Sequence, residues 1–131
     1  MYKKVAPMFL VDDVDKAMGF YKDVFGARLQ YSLPDKPPFE WVSLLLEETE
    51  IMFWKKEAAQ KEYPDASLIS DKQGNVIIYV YVEDIDKLYE RIKDNVTVIM
   101  KPKDQFYGIR EFTVQDPFDF IWTFAQVRGK E

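Results

Sequence analysis

Neither cysteine nor histidine occurs anywhere in the sequence. Without cysteine there is no disulfide framework, and nothing points to an oxidising compartment. Without histidine the chain loses the commonest general base and the commonest transition-metal ligand together. Serine–histidine and cysteine–histidine catalysis are thereby excluded. No run approaches the roughly 18 consecutive apolar residues of a membrane span. The charged start at Lys3 and Lys4 leads into neither a long apolar stretch nor a small-residue cleavage pattern, so no signal peptide is expected. Lysine and arginine are scattered, and the formal net charge is −5, which leaves no basic face to neutralise nucleic-acid phosphates. These absences predict a cytoplasmic protein that binds neither nucleic acid nor membrane. A negative balance mildly favours a cationic ligand.

What is abundant is aromatic. Such residues make up 16% of the chain, enough for a core and for a second lined surface. The sequence also repeats itself. Val11-Asp12-Asp13-Val14-Asp15-Lys16 returns as Val82-Glu83-Asp84-Ile85-Asp86-Lys87, and Lys22-Asp23 returns as Lys93-Asp94, all at an offset of 71. Of the thirteen positions spanned, six are identical and two more are conservative.

Each copy follows an apolar strand-like run, residues 5–11 and 76–82, and each begins a helix at an aspartate, Asp13 or Asp84, placed to accept from first-turn amides. The first helix, to about Phe25, is expected to bury Ala17, Phe20, Tyr21 and Val24, with Gly26 as its stop. The second, ending near Asn95, is expected to bury Ile85, Leu88, Tyr89 and Ile92. Strands are predicted at 27–33, 41–46 and 50–54, then at 96–100, 109–115 and 118–127. Glu47-Glu48-Thr49 forms a hairpin turn, and Asp116-Pro117 marks the last tight turn. A polar stretch, 57–74, with a short helical piece around 57–61, reads as a linker. The fold class is therefore α+β: two tandem βαβββ modules, 1–56 and 75–131, forming a curved mixed sheet with a concave cleft.

Val11-Asp12-Asp13-Val14, the segment Phe20-Tyr21-Lys22-Asp23-Val24-Phe25-Gly26, Tyr107-Gly108-Ile109-Arg110-Glu111-Phe112 and Gln115-Asp116-Pro117 resemble the vicinal oxygen chelate superfamily. That superfamily comprises glyoxalase I, extradiol dioxygenases and bleomycin-resistance proteins, and the resemblance covers nearly the whole chain. It implies a divalent-metal site on the first, fourth, fifth and eighth strands, at positions that fall here on Ala6, Phe53, Ile77 and Thr123. None of these side chains is a strong metal ligand. Carboxylates at Glu50, Glu111 and Asp119 offer a hard cation an alternative, although solvated strand and turn carboxylates are the simpler reading. The family turn reads Asp-Pro-x-Gly, and here Asp119 stands at the glycine position.

If 6, 53, 77 and 123 face inward, alternation puts Met8, Ile51, Tyr79 and Ile121 beside them. Phe9, Met52, Trp54, Ile78, Val80, Phe112, Phe120, Trp122 and Phe124 are then core beneath the helices. An apolar inner face calls for a ligand or a partner subunit, and Phe39, Trp41, Phe106 and Tyr107 lie in segments suited to lining a pocket. The closest resemblance is to the bleomycin-resistance type: metal-free acidic dimers that sequester a cationic antibiotic.

The function expected is accordingly a non-enzymatic, cofactor-free homodimer holding a hydrophobic or cationic small molecule. Its contacts would be Met8, Trp41, Phe53, Tyr79, Tyr107, Glu111, Ile121 and Thr123, with Glu111 and Thr123 as polar anchors. The alternatives are a lyase, isomerase or dioxygenase with a carboxylate-held metal, and a silent subunit whose faces serve only in assembly.

Overall fold

The computed structural model describes residues 1–65 and 76–128. The chain divides into two compact units, Met1–Asp71 and Lys72–Glu131. The second half of the expected linker, from residue 66, lies outside the described residues.

In the first unit the elements are β1 (Met8–Val11), α1 (Val14–Asp23), β2 (Arg28–Leu33), β3 (Trp41–Leu46), β4 (Thr49–Lys55) and α2 (Lys56–Glu62). In the second they are β5 (Ile77–Tyr81), α3 (Ile85–Ile92), β6 (Thr97–Asp104), β7 (Ile109–Gln115) and β8 (Ile121–Val127), with a 3-10 turn Lys93–Asn95 after α3. The strand orders are β1-β4-β3-β2 and β5-β8-β7-β6. The first strand of each unit lies parallel to the last, and the other pairings are antiparallel. Both sheets are four-stranded and mixed, as two tandem βαβββ modules require.

The repeat has a structural meaning at its caps. Asp13 accepts a hydrogen bond from the Lys16 amide at 3.0 Å, and Asp84 accepts from the Lys87 amide at 3.1 Å. Each carboxylate satisfies an amide that the first turn leaves without an intrahelical partner. Two positions later the copies diverge. Asp15 accepts from the Phe39 amide, while its counterpart Asp86 receives the Arg110 and Arg128 guanidiniums. That contact with Arg110 holds the Asp86 carboxyl below the usual range.

One face of each sheet is covered by its helix. The buried stripe of α1 is Val14, Ala17 and Tyr21, continued by Phe25, whereas Phe20 and Val24 are only half-buried. The stripe thus sits slightly round from the expected one. Tyr21 meets Phe53 with centroids 4.8 Å apart, and Phe53 stacks on Phe9 at 5.4 Å. In the second unit Ile85 and Ile92 are buried, and Tyr89 meets Phe112 edge-on at 5.2 Å. Phe112 packs on Phe124, and Phe124 on Trp122.

Gly26 follows α1 with φ +78°, a conformation glycine adopts without strain. Asp119 also takes a left-handed backbone, φ +74°, so it does fill the place of a glycine. Its turn is organised by the buried Asp116, whose Oδ1 accepts from the amides of Phe118 and Phe120, both at 2.9 Å. These bonds hold 118–120 in the turn, so β8 starts at Ile121 rather than at 118, and Phe120 is not a strand residue. Replacing Asp116 by alanine leaves these amides without an acceptor and should cost about 1–3 kcal/mol in urea unfolding. Asparagine keeps Oδ1 and should retain most of that stability.

Candidate functional site

Strand alternation divides each sheet into a helix-covered face and an opposite face, and the register shows which residues belong to which. In the first unit Phe9 pairs with Phe53, and Phe53 with Val42. All three are buried on the α1 side. Met8, Met52 and Ser43 form the adjacent row on the opposite face, followed by Leu10, Trp54 and Trp41. Two expectations are therefore corrected. Phe53 and Ile51 are core, with Phe53 fully buried, and Met52 and Trp54 occupy the face opposite α1. The fourth strand is displaced by one residue from the expected register, which exchanges its faces. Phe39 is likewise core: it is buried, and its amide is tied to Asp15 of α1 at 3.1 Å.

Met8 and Trp41 do lie opposite α1, Met8 substantially exposed and Trp41 half-buried. Beside them is a polar group that the sequence analysis did not assemble. The Ser43 hydroxyl donates to Glu50 Oε2 at 2.5 Å, and Lys4 Nζ lies 2.7 Å from Glu50 Oε1. The Lys4 ammonium, reinforced by Ser43, holds the Glu50 carboxyl below its ordinary value.

In the second unit the face opposite α3 carries Ile77, Tyr79 and Tyr81 of β5 and Ile121, Thr123 and Ala125 of β8. It continues with Glu111, Thr113 and Gln115 of β7. The expected grouping of Tyr79, Ile121, Thr123 and Glu111 on one face is therefore present in this sheet. Glu111 is only 6% exposed and is the centre of the group. The Tyr79 hydroxyl donates to its Oε2. Oε1 accepts from the Tyr107 hydroxyl at 3.0 Å and from Gln105 Nε2 at 3.2 Å. Around this carboxylate the residues Tyr79 and Tyr107 remain 42% and 49% exposed, Tyr79 meets Tyr81 edge-on at 5.3 Å, and Phe106 projects almost fully into solvent. Thr123 is buried, its hydroxyl bonded to that of Thr113 at 2.8 Å.

Two short backbone features position Tyr107. Gly108 adopts φ +82°, and the loop closes through the Gly108 amide on the Gln105 carbonyl at 3.2 Å. That tight turn sets Gln105 and Tyr107 beside the start of β7, six and four residues before Glu111. Gln105 was the member missed. Its only sequence signal is its place just before an aromatic–glycine turn.

A partly buried phenol donating to a carboxylate keeps its proton. Burial first, and then the bond to Glu111, push the Tyr79 hydroxyl well above the ordinary tyrosine value, and the same causes raise Tyr107. Neither is poised as a base near neutrality. Both are fixed donors toward Glu111.

A model of the Glyoxalase/Bleomycin resistance protein/Dioxygenase superfamily matches residues 5–124. The chain belongs to that superfamily. No curated protein matches it. Among solved structures, TioX from Micromonospora sp. is 19% identical with a TM-score of 0.75, over 96% of this chain and 99% of that one. A glyoxalase/bleomycin resistance protein/dioxygenase from Nocardioides is 14% identical with a TM-score of 0.80, over 100% and 87%. A glyoxalase/bleomycin resistance protein/dioxygenase family enzyme from Burkholderia phytofirmans is 19% identical with a TM-score of 0.78, over 93% and 96%. At these identities the likeness is one of fold.

Metal-binding members of the superfamily need converging donors, and the residues here do not fit. The relevant places hold Ala6, which precedes β1, and, on the faces opposite the helices, Met52 in place of Phe53, Ile77 and Thr123. Met52 corresponds to Thr123 through the 71-residue offset. These supply a methyl, a thioether, an alkyl group and a hydroxyl already bonded to Thr113. Among the described residues no three acidic, histidine or cysteine side chains gather into a metal-binding group. Glu111 and Asp119 lie at opposite ends of the β7–β8 hairpin, and Glu50 belongs to the other unit. Among the described residues, no helix is long and apolar enough to cross a membrane.

Phe53→Ala should cost about 3–5 kcal/mol in denaturant unfolding, because it opens a cavity under α1. Met8→Ala on the opposite face should cost far less. In alkaline titration followed at 295 nm, Tyr79 and Tyr107 should ionise above the ordinary range, and Tyr79→Phe should remove one of these transitions. Because the folded state holds these protons more tightly than the unfolded chain, their stabilisation is complete below about pH 10 and is lost as pH rises further. Urea midpoints should fall there, and fall less in Tyr79→Phe.

Proposed function

We propose that this chain is a small-molecule-binding member of the superfamily that works without a metal and holds an aromatic or cationic ligand, in the manner of the bleomycin-resistance branch. The observation that carries the reading is the group on the second sheet: a buried carboxylate ringed by exposed phenol faces, beside an apolar surface. Small-molecule sites commonly combine such apolar walls with a few fixed polar atoms. Tyr79 and Tyr107 would supply stacking surface, Ile121 the apolar floor and Glu111 the anchoring charge, while Thr123 would line the site through its methyl group. On the first unit, Met8 and Trp41 are the corresponding apolar contacts. Phe53 is withdrawn from the contact set, since α1 covers it.

Support for a binding role over metal-assisted catalysis comes from the donor set. A ligand can be gripped by these side chains, but nothing in them gathers around an ion to polarise a bond. The same reading places the protein in the cytoplasm as a homodimer. Its support is the absence of cysteine and the exposed apolar side chains of Tyr31 and Leu33 on the edge strand β2.

The test is a screen of planar cationic and neutral aromatic compounds against the purified chain, following tryptophan fluorescence and melting temperature. At least one class should quench fluorescence through Trp41 or raise the melting point, as ligand linkage requires. If no compound does either, sequestration fails. Stoichiometric transition metal in protein purified without chelator would replace this reading with the metal-dependent one.

A further inference from the structure

We infer that the Glu111 cluster selects a protonated primary amine, an N–H cation carried on an apolar or aromatic body. Quaternary, neutral and anionic molecules of the same shape should bind it less well. This rests on the ligand-binding reading above and narrows it to a chemical class.

The argument begins with proton direction. A phenol has one proton, and both Tyr79 and Tyr107 spend theirs on Glu111. Gln105 likewise turns an N–H inward to the same carboxylate. What these groups have left to offer a ligand is therefore acceptors: two phenol oxygens and the Gln105 amide oxygen, its nitrogen being taken by Glu111 and Met100. Donation to a carboxylate polarises a phenol and strengthens its oxygen as an acceptor. A site whose outward polar atoms are all acceptors favours N–H donors and repels carboxylates and phosphates.

Charge points the same way. Glu111 is buried with three neutral donors around it. Lys103, its cross-strand partner in β6, is exposed and makes no ion pair with it among the described residues. The adjacent Arg110 is engaged with Asp86 and Asp104. A negative charge compensated only by neutral dipoles gains from a nearby cation.

The first unit supplies an internal comparison. On its face opposite α1, Glu50 is also held by a hydroxyl, that of Ser43, and it is completed by a primary ammonium of the chain itself, Lys4 at 2.7 Å. The two carboxylates are not repeat counterparts, since the offset of 71 carries Glu50 to Ile121, and the comparison is one of chemistry alone. Glu50 has an ammonium of the chain beside it, and Glu111 has none among the described residues.

The surroundings suit the rest of such a molecule. The exposed rings of Tyr79, Tyr81 and Phe106 offer negative π faces to a cation. Ile77 and Ile121, adjacent in register, offer apolar contact for its body. A quaternary ammonium would reach the rings but has no N–H for the phenol oxygens.

The probe set is 2-phenylethylamine, its N,N,N-trimethyl derivative, 2-phenylethanol and 3-phenylpropionate, titrated into the full chain at neutral pH by calorimetry. The primary amine should bind about tenfold or more tightly than each of the others. Glu111→Gln should abolish that preference. Tyr107→Phe, which removes one outward acceptor from a half-exposed position, should reduce the amine's advantage several-fold even if Glu111→Gln does not fold. Equal or tighter binding of the trimethyl, alcohol or acid probe overturns the selectivity while leaving a ligand-binding face in place. An amine advantage that survives both variants also overturns it, by placing the recognition elsewhere. Failure of all four probes, together with failure of the wider screen, overturns both readings at once.

Discussion

The packing of one helix on one face of each sheet is the constraint from which the other features follow. Tyr21 on Phe53 and Tyr89 on Phe112 fix which strand residues are core. Because side chains alternate along a strand, every residue one position away is committed to the opposite face. In the first unit this leaves Met8, Trp41 and Met52 away from the helix. In the second it leaves Tyr79, Glu111 and Thr123. The candidate surface is what the helices do not cover.

The two modules use that surface differently. The shared features are structural: the Asp13 and Asp84 caps, the parallel pairing of first and last strands, and the aromatic stack under the helix. The differences are polar. Asp15 anchors a loop while Asp86 gathers two arginines, and Glu50 is neutralised from within the chain while Glu111 is held by phenols. A duplicated scaffold leaves positions outside the helix-covered core free to diverge, because the packing under the helices does not depend on them. Superfamily membership likewise fixes a scaffold and leaves chemistry to the site.

Much of the fold could be read directly. The offset of 71, the capping aspartates, Gly26 and the Asp116-Pro117 turn are local signals, and each corresponds to an observed cap, stop or turn. Strands β3 and β7 begin and end where the sequence predicts them, at 41–46 and 109–115. The main misreading was at β4. In Ile51-Met52-Phe53-Trp54 every residue is apolar, so the period-two signal vanishes and either face assignment is consistent with the sequence. Around Glu111 the signal was better, because Glu111-Phe112-Thr113-Val114-Gln115 alternates polar with apolar, and Tyr79 could be put on the face of Thr123 by parity.

By itself, then, the sequence determined what is local or compositional: the repeat, the helix ends, the turns, the α+β class and the absence of histidine and cysteine as metal donors. Only the tertiary structure decided which aromatic residues lie under the helices, and that Gln105, Tyr79 and Tyr107 converge on one carboxylate. Propensity and capping act over a few residues, whereas strand register and the meeting of a loop with a distant strand depend on packing between segments far apart in the chain.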